Sequence, residues 1–147
     1  MRLKGKSIII TGGGSGIGLA CTQLFSDEGA QVAIFGRRED RLNATVKKIG
    51  SQLLTVTGDL TINSDLDNLV SKTLDTFGKI DIVVNNGGIF AGSPIHETND
   101  KEWDRIMNTN IKSAFQLTKR VLPHMIERRT GVFIHISSIA GLIAIPG

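Results

Sequence analysis

Hydrophobic and polar positions along the chain switch repeatedly between strand-like runs and a helical period. Ser7 to Thr11 is a short run rich in β-branched residues, ended by glycine, and reads as a buried strand. Ile17, Cys21, Leu24 and Phe25 recur at helical spacings with Gly29 as the stop, which predicts a helix from about Ser15 to Glu28. Val32 to Phe35 is the second run, and Leu42, Val46 and Ile49 mark a helix closed by Gly50. Leu53 to Thr57 reads as a third strand. Asn63 or Ser64 is placed to cap a helix with an apolar face of Leu66, Leu69, Val70 and Leu74, and Gly78 ends it. Ile82 to Asn85 is a fourth strand, and Asn86 to Thr98 is a glycine-rich loop. Ile111, Ala114, Phe115, Thr118, Leu122 and Met125 then line one helical face, with Pro123 expected to kink or fray the last turns. Val132 to Ser137 makes the fifth strand. Strands separated by helices must pair in parallel through right-handed crossovers, so the expected fold is a doubly wound parallel α/β sheet.

Composition bounds this picture without changing it. The 147 residues suit one domain, residues 1–147, with a core large enough to need no disulfide. Hydrophobic residues at 40% and charged residues at 21% exclude a disordered or membrane-embedded chain. The net charge of +3, without long runs of one sign, gives no nucleic-acid footprint. The apolar stretch Thr130 to Gly147 contains His135, Ser137, Ser138 and Pro146, which argues against a membrane span. The basic N-terminus lacks a secretory apolar stretch, and a single cysteine fits a reducing, cytoplasmic setting. No metal-ligand spacing is expected. Glycine is the outlier, at 17 residues, and tyrosine is absent.

The loop between the first strand and first helix reads Thr11-Gly12-Gly13-Gly14-Ser15-Gly16-Ile17-Gly18. It fits neither GxGxxG nor the phosphate-binding GxxxxGK, because Ile17 and Leu19 stand where glycine and lysine are needed. It does fit TGxxxGxG. Such a loop must turn sharply, admit a pyrophosphate close to the backbone, and offer free N–H groups at a helix N-terminus. Further on come Asp59-Leu60, Asn85-Asn86-Gly87-Gly88, Asn108-Thr109-Asn110-Ile111 and Ile136-Ser137-Ser138-Ile139-Ala140-Gly141. With these motifs in order, the whole chain resembles the N-terminal portion of the short-chain dehydrogenase/reductase family, in its single-domain Rossmann-like form. Gly87-Gly88 departs slightly from the family's usual NNAG.

The resemblance implies a nicotinamide dinucleotide held by Gly12, Gly14, Ser15, Gly16, Ile17, Gly18, Asp59, Leu60 and Asn86, with Asp59 at the adenine amino group. Charge at the end of the second strand bears on which dinucleotide. Gly36 stands where NAD-binding relatives look acidic, and Arg37 and Arg38 follow, so NADP(H) is favoured over NAD(H) through charge-assisted contact with a 2′-phosphate. Against this, Ser15 stands where many NADP-binding relatives carry a second basic residue.

The implied reaction is hydride transfer to or from an alcohol or carbonyl carbon of a small-molecule substrate. Ser138 maps onto the serine that orients the substrate oxygen, and Asn110 onto the asparagine that supports a proton relay. The family's tyrosine and lysine are expected as YxxxK about a dozen residues after the serine, but the chain ends nine residues after Ser138 and holds no tyrosine. A serine hydroxyl has no acidity comparable to a phenol, so the isolated chain is expected to be inactive. His135 is a poor substitute, pointing away from its neighbour on an alternating strand. The apolar ending Ser138 to Gly147 suggests a chain incomplete at its C-terminus, leaving a hydrophobic edge for a second copy or a partner chain to complete. The alternative is a non-catalytic dinucleotide-binding or regulatory module. Cys21 and Trp103 read as packing residues, and His96 as a solvated loop residue.

Overall fold

A computed structural model describes residues 1–50, 52–90 and 92–143. Residues 144–147 of the apolar ending lie outside the described residues. The chain alternates β1 (Ser7–Thr11), α1 (Gly16–Asp27), β2 (Gln31–Gly36), α2 (Glu39–Ile49), β3 (Leu54–Thr57), α3 (Asn63–Phe77) and β4 (Ile82–Asn85). It continues through α4 (Asp100–Met107), α5 (Ser113–Glu127) and β5 (Val132–His135). The five strands form one parallel sheet in the order β3-β2-β1-β4-β5, the expected doubly wound α/β arrangement. The order reverses between β1 and β4, and a ligand crevice is expected beyond the carboxyl ends of those strands.

Period-two alternation distributes each strand between two cores. Ile9, Ala33, Phe35, Val56 and Val83 face α3 and α5, where they meet Leu66, Leu69, Leu117, Val121 and Met125. Ile8, Ile10, Val32, Ile34 and Val84 face the other way, toward Leu42 of α2 and the half-buried Cys21 and Phe25 of α1. Near the amino ends of the strands, Asp81 joins three elements. Its carboxylate accepts from the Ser7 N–H at 3.0 Å and from Arg128 Nη2 at 2.5 Å, and lies 3.2 Å from Lys79 Nζ.

Several expectations need correction. In α5 the buried residues are Ser113, Leu117, Val121 and Met125, whereas Ile111, Phe115 and Leu122 of the expected face are exposed. The helix carries apolar side chains on two faces, and periodicity alone does not say which one meets the sheet. Ser113 is tolerated inside because its hydroxyl donates to the Thr109 carbonyl at 2.6 Å. Pro123 sits within α5, which continues past it to Glu127. In α1, Gly18 and Thr22 are buried while Ile17 and Leu24 are exposed, because the close contact with the sheet is made through small residues.

Helix α3 starts one residue early, with Ile62 and not Asn63 or Ser64 in the capping position. Strand β3 begins at Leu54, and β5 ends at His135 because the chain turns away before Ser137. The loop after β4 includes a short 3-10 turn, Ile95–Glu97. Helix α4 was not expected. Its start is marked by Asn99, whose side chain accepts from the Glu102 N–H at 2.9 Å, a cap-and-glutamate spacing legible in sequence. Trp103 lies on α4 about half exposed, not packed inside.

Candidate functional site: a cleft at the strand carboxyl ends

The end of β1 and the turn after β4 are built as one unit. Thr11 Oγ1 accepts from the backbone N–H groups of Asn86, at 3.0 Å, and Gly87, at 2.8 Å. In return Asn86 Nδ2 donates to the Thr11 carbonyl at 2.9 Å. Gly12 adopts φ of +68°, and a side chain on Gly18 would overlap the Gly12 carbonyl and lie 2.6 Å from Asn86 Nδ2. Glycine is therefore required at position 18 by a three-way junction of the loop, the start of α1 and the turn after β4. The first N–H groups of α1 lack helical acceptors and open onto this junction.

Beside it lies a cleft of about 410 Å³, within the range that takes a large part of a small-molecule ligand. Gly12, Gly14, Ser15, Arg37, Arg38, Asp59, Leu60 and Asn86 line it, bringing together eight of the residues expected from sequence. Gly16, Ile17 and Gly18 do not line it: Gly18 forms the junction, Gly16 has φ of +51°, and Ile17 is 59% exposed. Arg41 and Arg105 also line the cleft and were not anticipated. Arg41 had a signal, since it stands three and four residues after Arg38 and Arg37, at the spacing of one helical face. Arg105 had none, because it reaches the cleft from α4.

Among the described residues, four arginines and one carboxylate, Asp59, line the cleft. Asp59 Oδ1 accepts from the Thr61 N–H at 2.8 Å and hydroxyl at 2.7 Å, and its Oδ2 lies 4.0 Å from Arg37 Nη1. Partial burial pushes the Asp59 carboxyl up, but the Thr61 bonds and the Arg37 charge outweigh it and hold it below the ordinary range. Among the described lining residues the cleft carries a surplus of positive charge.

A model of the short chain dehydrogenase family matches residues 6–147. The chain belongs to the short-chain dehydrogenase family. An uncharacterized oxidoreductase of Thermotoga maritima is 40% identical over 149 residues, covering 99% of this chain and 59% of that protein. A 3-oxoacyl-(acyl-carrier-protein) reductase of the same organism is 36% identical over 154 residues, covering 100% of this chain and 61% of that protein. The crystal structure of a short chain dehydrogenase from Bacillus anthracis superposes with a TM-score of 0.91 at 29% identity, covering 97% of this chain and 61% of that one. The chain spans about three-fifths of the length of these relatives.

The two residues matched to the family's catalytic group lie outside the cleft lining. Asn110 sits in a π-helical stretch, Asn108–Lys112, between α4 and α5. Its side chain grips the backbone of Ile89 at both ends: Nδ2 donates to the carbonyl and Oδ1 accepts from the N–H, each at 2.8 Å. It therefore caps no helix and fixes the turn after β4 instead. Ser138 is exposed beyond β5, and its Oγ accepts from the Ala140 N–H at 3.1 Å, which leaves the hydroxyl proton available. It borders a shallow apolar concavity with Ser137, Ile139 and Leu142. His135 Nδ1 is 3.3 Å from Asn85 Nδ2, directed back at β4. His96 lies on the loop surface near Glu97. Among the described residues, no helix is long and apolar enough to cross a membrane.

Proposed function

We propose that this chain supplies the nucleotide-binding part of an NADP(H)-dependent oxidoreductase acting between an alcohol and a carbonyl in the cytoplasm. The observation that carries the cofactor choice is the cluster of Arg37, Arg38 and Arg41 around Gly36, where among the described residues the cleft has no carboxylate to repel a 2′-phosphate other than Asp59, itself held by Thr61. The dinucleotide fits the residues present. Gly12 and Gly14 bring bare backbone to the cleft wall, the start of α1 offers N–H groups, and the three arginines offer planar donors for phosphate.

The nicotinamide, when bound, supplies or accepts the hydride. Ser138 donates its hydroxyl proton to hold the substrate oxygen, and Asn110 keeps the turn at Ile89 in place beside the cleft. Proton transfer to that oxygen needs a group of near-neutral acidity, and no tyrosine occurs in the 147 residues to provide it.

Titrating NADPH and NADH into the 147-residue chain tests the cofactor assignment through nicotinamide fluorescence. Arg37→Ala is expected to weaken NADPH by about tenfold or more, the worth of a charged hydrogen bond, and to leave NADH unchanged. Equal affinity for the two nucleotides, insensitive to Arg37→Ala, would overturn it.

A further inference from the structure

Arg105 is a cation with little to hold it. Among the described residues its guanidinium donates no hydrogen bond, and its ion pair is with Glu102 on the same helix at 3.7 Å, with both side chains reaching solvent. Such a contact is worth little. Yet Arg105 lines the cleft, and it is the one arginine there that does not come from the end of β2 or the start of α2. Its helix also carries the chain into Thr109, which lines the cleft one turn further on, and into Asn110, whose clamp on Ile89 fixes this segment against the turn after β4. The base of α4 is thus anchored while the Arg105 side chain is left free.

The cleft residues divide by origin. Arg37, Arg38 and Arg41 flank Gly36 and are placed for a 2′-phosphate, whereas Asp59, Leu60 and Thr61 follow β3 and Thr109 follows α4. A ligand spanning the cleft presents phosphate to the first set. To the second it presents its base, whose flat face is a partner for a guanidinium plane.

We infer that Arg105 is a further cofactor-positioning residue, its guanidinium closing over the adenine ring from α4. This rests on the reading of the cleft as a dinucleotide site. It implies a division of labour: Arg37 discriminates between NADPH and NADH, while Arg105 contributes equally to both, because adenine is common to them.

The test is equilibrium binding of NADPH and of NADH to the 147-residue chain and to Arg105→Ala, Arg105→Lys and Arg37→Ala. Arg105→Ala should weaken both nucleotides by the same factor, about fivefold. Arg105→Lys should recover only part of that loss, since an ammonium keeps the charge but not the plane. Circular dichroism and Tm should be unchanged, because the side chain is exposed; if the alanine variant proves unstable, the lysine variant carries the comparison. Loss confined to NADPH would make Arg105 a phosphate contact, and unchanged affinity for both would make it a surface residue; either overturns the inference alone. Failure of the unmodified chain to bind either nucleotide would instead remove the dinucleotide reading, and this inference with it.

Discussion

Strands β2 and β5 carry similar apolar runs, QVAIFG and VFIH, yet they lead different lives. In β2, Val32, Ala33, Ile34 and Phe35 have no exposed surface, because helices cover both faces of the sheet there. In β5, Phe133 packs against the core under α5, while Val132 is 51% exposed and Ile134 37% exposed on the opposite face. The registers explain it. Val132 and Ile134 pair with Ile82 and Val84, on the side that α1 and α2 serve, but the core those helices form ends at Ile82 and Val84 of β4 and takes in no residue of β5. The same contrast runs along α5: Leu117 and Val121 are wholly buried, and Phe115 is 61% exposed. An apolar run thus reports burial only where a second layer exists to receive it, and among the described residues the layers are complete around the cleft and open around Ser138.

The sharpest way to probe that contrast is within α5. Leu117→Ala should cost about 3 kcal/mol, because it empties a fully packed site between α3 and the sheet. Phe115→Ala, two residues away and larger, should cost less than about 0.5 kcal/mol. Urea denaturation of the two variants measures the difference directly. Comparable losses would mean that the outward face of α5 is covered in solution.

Asp81 is where the closed and open regions meet, and a smaller effect is expected there. It ties Ser7 of β1 to Arg128 beyond α5, and its carbonyl accepts from the Val132 N–H at 3.0 Å as β5 begins. Burial pushes its carboxyl up, but the Arg128 bond, the Ser7 N–H and Lys79 outweigh this and keep it below the usual range. A depressed folded-state value means stability that is present above the unfolded carboxylate pKa of about 3.9 and is lost as pH falls through the folded value. Asp81→Asn should therefore cost about 2 kcal/mol at pH 7, less than the loss of a fully buried pair because Arg128 and Lys79 reach water. It should also flatten the fall in stability below about pH 4. Denaturant midpoints measured from pH 7 downward for both proteins check the two claims, and parallel pH profiles would remove Asp81 as the titrating group.

What could be read in the sequence follows the same boundary. Short β-branched runs punctuated by glycine marked the strands, because a buried parallel strand needs apolar side chains on both faces. The glycine loop stood out because close backbone approach calls for glycines at fixed spacings, whereas Asp59 came from the family resemblance and from no spacing of its own. The inward face of α5 was not, since Leu117 and Phe115 are chemically alike and only the neighbouring layer separates them. Arg105 was invisible for another reason: it comes to the cleft from α4, far in sequence from Arg37, Arg38 and Asp59, which no local pattern encodes.

The smallest expected change in stability tests the open edge itself. Among the described residues β5 is the last strand of the sheet, with Val132 and Ile134 flanking a row of backbone groups that lack a neighbouring strand. Such an edge is a template for pairing with another chain, and the 147-residue chain is expected to self-associate at high concentration. Ile134→Lys should leave stability within about 0.5 kcal/mol, because the lysine stem can lie over the sheet while its ammonium reaches water. It should also shift the sedimentation profile toward monomer. A wild-type chain that already sediments as a monomer would show that the edge drives no association. Unchanged association in the variant would move the contact to the outward face of α5, where Phe115→Ala becomes the deciding substitution. Period-two alternation makes the choice of position strict: the same charge placed one residue earlier, at Phe133, would enter the core that Leu117 fills, and would test folding instead of pairing.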